Sequence, residues 1–331
     1  MTNQSVSRPF QRVFAAAALG AGLCAGASPA AAASYPERPI KLVVPWAPGG
    51  ATDVLGRFIA KGLSERVGQP VVVENRGGAG GNIGTAAFVR EKADGYTLLV
   101  ATSSTNAANP YLYKQLGFKP ESDFAAVAFV ASIPNLLEVN KDSKYKSFQE
   151  LLDAAKAHPG ALNYGSAGVG SSQHLAASLL KHLTKIDIVH IPYKGSGPAV
   201  SDLLAGQFDF MLDTGSVSQV KGGALRGLAV ASETRLATLP DVPTFKELGL
   251  DGMNASAWYG IMAPAGTPAD VLAYLNKEVN AVVQSPEVKA RLEGMGAQVP
   301  AAQSTEEFSA FMSSELKRYG ELIKLSGAKM E

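Results

Sequence analysis

The sequence predicts an α/β protein whose chain is shared between two lobes, and three observations lead there. Short β-branched runs alternate with helix-periodic segments almost throughout, the pattern of a mainly parallel sheet flanked by helices. A long middle stretch carries strands and helices of its own. That stretch is bounded by the extended runs PNLLEVN and WYGIMAP, which read as two crossings between lobes and therefore as a hinge.

The first segment stands outside this pattern. Arg8 and Arg12 precede an uncharged, alanine-rich run over 13–27, the arrangement of a secretory signal peptide. Ala31 and Ala33 supply the small residues for cleavage after Ala33, so 1–33 is expected to be removed. Cys24, the only cysteine, lies in this segment, and Leu23 before it argues against a lipid anchor. The exported chain then has no thiol for a disulfide, a metal site or a nucleophile. No other stretch approaches the roughly 18 uninterrupted apolar residues of a membrane span. A periplasmic location with no direct membrane insertion is expected.

The elements follow in order. IKLVV reads as a strand, and Val54, Leu55, Phe58, Ile59, Leu63 and Val67 recur at helical spacing until Gly68 stops the helix. PVVVEN is the next strand, 83–92 a helix, and YTLLVAT a third strand, completing a βαβ unit. After DFAAVAFVAS and NLLEVN, Ser147 and Glu150 have capping-box spacing at the head of a helix. LNYGS, a helix over 172–183, the strand IDIVHIPY, a helix over 198–204 and the strand FDFMLDT follow. The last third returns with AWYGIMAP, a long helix over 268–283, a shorter one from PEVKARL and a final one from STEEF.

Thirty Lys and Arg balance 29 Asp and Glu, with no basic tail, stripe or amphipathic run. Nucleic acid and lipid surfaces are therefore poor partners. The charged fraction of 18% lies below the usual quarter, which suits a freely diffusing carrier as well as many enzymes.

Three strand ends share one chemical habit. PWAPGGATD, GSAGVGSSQH and YKGSGPAVSD each place glycines and small hydroxyl residues between a strand and a helix start. Backbone N–H groups there have no intrahelical acceptor, so such corners hold anions. Glycine lets an oxygen approach the peptide plane closely, although tight βα turns have the same composition. NRGGAGGNIG and DTGSVSQ resemble these corners, and ATSSTNAANP adds hydroxyls and amides.

Catalytic and nucleotide signatures fail. GGAGGNIG does not satisfy G-x-G-x-x-G, and no phosphate loop of the G-x-x-x-x-G-K-[ST] form occurs. Ser166 sits in YGSAG with His174 eight residues on, but Tyr164 occupies the first glycine of a nucleophile elbow. His174 reads more simply as a residue that packs or orders the loop. His158, His182 and His190 have no metal spacing, and neither metal nor cofactor is expected. Asp53 favours the positive helix end and can pair with Arg57, or it orders the first corner or holds bridging water. Asp213 either contacts a ligand amino or hydroxyl group or caps a helix. Trp46 walls a pocket or packs between strand and helix, and Lys194 offsets ligand charge or is simply solvated.

VPWAPGGATDVLGR, VVVENRGGAGGNIG, LNYGSAGVGSSQHL, VHIPYKGSGPAVSDLLAGQFDFMLD and PDVPTFKELGL…WYGIMAPAGTP together resemble the solute-binding proteins of tripartite tricarboxylate transporters, of the Bordetella uptake gene type. The likeness spans the mature chain in one order. It implies a type II-like periplasmic fold, with 34–136 and 257–331 as one lobe and 137–256 as the other. It further implies a non-enzymatic, monomeric receptor that closes on a small carboxylated solute and hands it to membrane permease subunits. The matching ligand positions are Ala47, Gly49, Gly50 and Asp53, then Thr102 and Ser103, then Ser166, Ala167 and Gly168, and Asp213. Lys194 and His174 lie in matching stretches. A sensor subunit, or a hydrolase using Ser166 and His174, is the alternative.

Overall fold

The computed structural model describes residues 35–326 together with Met1, and the signal-peptide reading of 1–33 falls outside that span. The described residues from Arg38 onward form one compact unit. Its first pass comprises β1 (Ile40–Val44), α1 (Ala51–Val67), β2 (Val71–Asn75), α2 (Asn82–Phe88), β3 (Thr97–Thr102), α3 (Asn109–Leu112) and β4 (Phe124–Pro134). The middle holds β5 (Leu136–Asn140), α4 (Phe148–Ala157), β6 (Asn163–Ser166), α5 (Ser172–Thr184), β7 (Val189–Pro192), α6 (Ser196–Leu204), β8 (Phe210–Asp213), α7 (Val217–Lys221) and β9 (Leu225–Val230). The return consists of β10 (Ser256–Pro264), α8 (Ala269–Val283), α9 (Pro286–Gly294) and α10 (Thr305–Ser326).

These strands form two five-stranded sheets, β2-β1-β3-β10-β4 and β7-β6-β8-β5-β9. Four strands of each sheet run one way, and the reversed strand is β10 in the first and β5 in the second. The reversed strands are the ones that arrive from the opposite sheet. The parallel strands of both sheets end at a shared cleft, so a chain leaving one sheet there enters the other running away from it. Only Asn135 separates β4 from β5, and its N–H and Nδ2 both donate to Ala255 O, at 2.9 and 3.0 Å. The Ala231 N–H donates to Asn135 O at 2.9 Å, which ties the crossings side by side.

Each sheet buries its own core. Val43, Phe88, Leu99, Met262 and Phe308 fill the first, while Leu137, Tyr164, Leu180, Phe210 and Phe245 fill the second. Leu322 of α10 packs against both, so the last helix spans the two. Gly260 makes room for it: a Cβ there would lie 2.2 Å from Phe308 Cζ.

Local signals hold where they carry their own hydrogen bonds. Gly68 caps α1 with φ +69°, and Ser147 Oγ accepts the Glu150 N–H at 3.2 Å. The helix expected over 83–92 stops at Phe88. Beyond it the N–H groups of Arg90 and Glu91 reach carbonyls only three residues back, a tightening typical of a helix end. The Glu91 carboxylate meanwhile meets Lys41 at 3.3 Å and Arg76 at 3.5 Å. The sequence reading gave no element to α7 or β9, whose segments of five and six residues are too short to carry a clear period.

Candidate ligand-binding cleft

The loops after the parallel strands of the two sheets meet at a narrow cleft with about 30 Å³ open to water-sized molecules. Its walls include Trp46, Ala47, Gly50, Ala51 and Thr52 after β1, Thr102 at the end of β3 and Ser104 beyond it. The second sheet contributes Ala167, Ser172, Gln173, Ser196 and Thr214, and the floor carries Ala257 and Tyr259 of β10. None of these side chains is ionised at neutral pH. Three helix starts border the space: Ala51 and Thr52 of α1, Ser172 and Gln173 of α5, and Ser196 of α6. The first amides of a helix lack acceptors within it and carry its positive dipole end, so the walls supply donors without charged side chains.

The two loop sets touch with little side chain between them. A Cβ on Gly195 would lie 2.8 Å from Ala47 Cβ, and one on Gly197 would lie 2.5 Å from Pro48 O. Hydrogen bonds also cross the divide. Tyr113 Oη donates to Val169 O at 3.0 Å, and Thr214 Oγ1 lies 3.0 Å from Tyr259 Oη.

Of the residues expected from sequence to meet ligand, Ala47, Gly50, Thr102 and Ala167 line the cleft. Gly49 turns the first corner at φ +90°, and its N–H donates to Asp53 Oδ2 at 3.0 Å. Asp53 stands behind that corner, accepting also from Arg57 Nε at 3.1 Å and Asn75 Nδ2 at 2.9 Å. Burial works to raise its carboxyl, but the hydrogen bonds from Arg57, Gly49 and Asn75 outweigh it and hold the group below the usual carboxylate range. Asp53 therefore pairs with Arg57 and orders the loop.

Asp213 is likewise buried behind the wall. Its Oδ1 accepts from Ser196 Oγ at 2.6 Å and Gln173 Nε2 at 2.8 Å, and its Oδ2 accepts the Gly215 N–H at 2.8 Å. Ser103 is fully buried and outside the lining. Lys194 is exposed on the β7–α6 loop, outside the lining as well.

Ser166 is fully buried. Its Oγ accepts the Gly168 N–H at 3.0 Å and lies 2.6 Å from His190 Nε2. Gly168, at φ +115°, forms the turn that this hydroxyl closes. His174 does not pair with Ser166 as the hydrolase alternative required: its Nδ1 accepts the Gly170 N–H at 3.4 Å, and its ring stacks on His190 at 4.6 Å. Burial, helped by the Lys181 charge, lowers the His190 imidazole to about 4, which keeps it neutral at neutral pH. Ser166 and the two imidazoles thus brace the GSAGVG loop.

Sequence reasoning missed Thr52, Ser104, Ser172, Gln173, Ser196, Thr214 and Tyr259 as lining residues. All but Tyr259 lie inside the glycine- and hydroxyl-rich corners already singled out. For Thr52, Ser172, Gln173 and Ser196 the signal that finds them is position, since each lies in the first turn of its helix.

The family model described as "Tripartite tricarboxylate transporter family receptor" matches residues 55–328. The chain is 38% identical to Protein BugT of Bordetella pertussis over 308 residues, covering 92% of this chain and 94% of that one. It superimposes with a TM-score of 0.86 on the periplasmic binding protein BugD, at 35% identity over 90% of this chain and 100% of that one. The structure of R. palustris Rpa4515 with adipate gives the same TM-score at 35% identity, covering 89% and 100%. The chain therefore belongs to the tripartite tricarboxylate transporter receptor family, the Bug proteins among them, and is a solute-binding receptor rather than an enzyme.

Proposed function

We propose that this receptor binds a small carboxylated organic acid between its two sheets in the periplasm, after loss of 1–33, and delivers it to a membrane permease. The observation that carries this reading is the convergence of the α1, α5 and α6 starts on one cleft with no charged side chain in its lining. A carboxylate entering such a space loses water and must gain donors in exchange. Helix-start amides and hydroxyls provide them, at roughly 1.5–3 kcal/mol for each bond to a charged group. The adipate held by Rpa4515 is a solute of this class.

In this reading 34–136 with 257–331 and 137–256 are the two lobes, and Asn135 and Ala255 lie at the hinge. Only the joined arrangement offers both walls at once, so ligand shifts the population towards it. Ala47, Gly50, Thr102 and Ala167 touch the solute, joined by the hydroxyls of Thr52, Ser172 and Thr214, while Asp53, Asp213 and Ser166 hold the walls behind them. The receptor works as a monomer. Among the described residues no helix is long and apolar enough to cross a membrane, and no cluster suited to a metal ion occurs.

The test uses the processed chain stripped of copurified ligand, with thermal-shift and calorimetric titration of dicarboxylates, tricarboxylates, aromatic acids and acidic amino acids. At least one acid raises the melting temperature and gives a saturable heat. In Gly50→Val the new side chain starts 3.1 Å from Ser196 Cβ, and the heat is lost. A chain that binds none of these acids overturns the proposal. Uptake of the identified acid by cells lacking the receptor then separates transport from sensing.

A further inference from the structure

We infer that the wall formed by Ser196 reads a hydrogen-bond donor on the solute, so that the receptor prefers a hydroxy- or amino-substituted acid over its unsubstituted counterpart. This rests on the carboxylate reading above and refines it. Ser196 makes the contact, and Asp213 is the positioning residue that sets its polarity.

The chemistry follows from counting protons. Ser196 begins α6, borders the cleft and has a single hydroxyl proton. That proton is given to Asp213 Oδ1 at 2.6 Å. What remains on Ser196 Oγ is lone pairs, which accept and do not donate. Asp213 accepts from two further donors, which fixes it as the acceptor of that bond. Gln173 Nε2 donates to the same Oδ1, the Gly215 N–H donates to Oδ2, and only 1% of the residue is exposed. The neighbouring Glu138 carboxyl fits this division of roles. Burial, and then the Asp213 charge, push it well above the usual carboxylate range, so Glu138 keeps the proton.

The cleft is therefore polar in two opposite senses. The α1 start presents N–H groups, suited to a carboxylate. Ser196 presents an acceptor, which repels a second carboxylate oxygen and satisfies a hydroxyl or ammonium group. An acid that lacks such a group leaves the desolvated Ser196 Oγ without a donor, and that mismatch is what costs affinity.

Two variants separate the roles. Ser196→Ala removes the acceptor. Asp213→Asn inverts it: the Gly215 N–H is fixed in the backbone and keeps the amide oxygen facing it, so the amide NH₂ faces Ser196 and turns the serine proton into the cleft. The experiment is calorimetric titration of the processed, ligand-stripped receptor with matched pairs: succinate against malate and aspartate, glutarate against 2-hydroxyglutarate and glutamate, adipate against 2-hydroxyadipate, and phenylacetate against mandelate. In the natural sequence the donor-bearing member of whichever pair fits best binds about threefold to tenfold more tightly. Ser196→Ala brings that pair to within about twofold, and Asp213→Asn levels or reverses it. Equal binding within every pair by the natural sequence, or a preference that survives Ser196→Ala, overturns the inference while leaving the carboxylate reading standing. If no member of any pair binds, the carboxylate reading falls and this inference with it. Should Asp213→Asn fail to fold, as judged by its melting curve, Ser196→Ala decides alone.

Discussion

Glu138 is completely buried on β5, where Oε2 accepts the Ser216 hydroxyl and Oε1 has no hydrogen-bond partner in the structure. Burial is the first cause of its raised carboxyl and the Asp213 charge the second. The folded chain thus holds a proton that the unfolded chain releases above its ordinary value of 4.5. When the folded form binds more protons, stability falls as pH rises. This contribution is fully present below 4.5 and lost as pH climbs through the folded value. Glu138→Gln carries no titrating group there, so urea midpoints taken between about pH 5 and about pH 8 decline less steeply than those of the natural sequence. Parallel slopes would contradict the buried neutral acid. Gly49 teaches a different lesson at this scale: φ +90° and the bond to Asp53 account for the glycine without any ligand.

At the scale of the element, α5 shows how the wall is kept in register. Ser171 caps it, accepting the His174 N–H at 3.3 Å, and the loop before it turns at Gly168 and Gly170 with φ +115° and +84°. The cap holds Ser172 and Gln173 at the cleft edge. Ser171→Ala leaves that amide without its acceptor and lowers stability by about 0.5–2 kcal/mol, measurable by urea denaturation. Because Ser172 and Gln173 lose their fixed start, the affinity for the identified acid falls as well. A stability loss with unchanged affinity would mean that the helix start plays no part in binding. The contrast with α2 is instructive, since nothing in its sequence announces the stop at Phe88, which coincides with Glu91 turning towards Lys41 and Arg76.

For the whole molecule the question is what the joined arrangement demands. Gly197 lies in the first turn of α6, so alanine suits the helix there and favours it by up to roughly 1 kcal/mol. Its methyl group, however, would sit 2.5 Å from Pro48 O across the cleft. Gly197→Ala should therefore melt no lower than the natural sequence without ligand and yet bind the acid more weakly, by about 1–3 kcal/mol. Differential scanning calorimetry and titration read the two effects separately. Unchanged affinity would show that the two walls need not approach this closely for binding. Leu322 of α10, packed against both cores, ties the last helix to each sheet and places it next to the crossings.

Much of this was written along the chain. The alternation of β-branched runs with helical periods determined the α/β class, because burial of one face imposes those periods locally. The glycine- and hydroxyl-rich corners marked where helix starts would lie, since cap and turn chemistry is local too. The sequence could not assign tasks within a corner. Whether Ser166 or Ser196 faces the cleft, whether His174 or His190 meets Ser166, and whether Asp213 touches solute or orients a hydroxyl depend on which strands become neighbours. That is decided when β5 and β10 cross between sheets and bring residues more than a hundred positions apart to one wall, such as Thr102 and Tyr259. Local physical chemistry specified the elements and their ends, and only the packing of the two sheets against each other selected which of those ends would form a site.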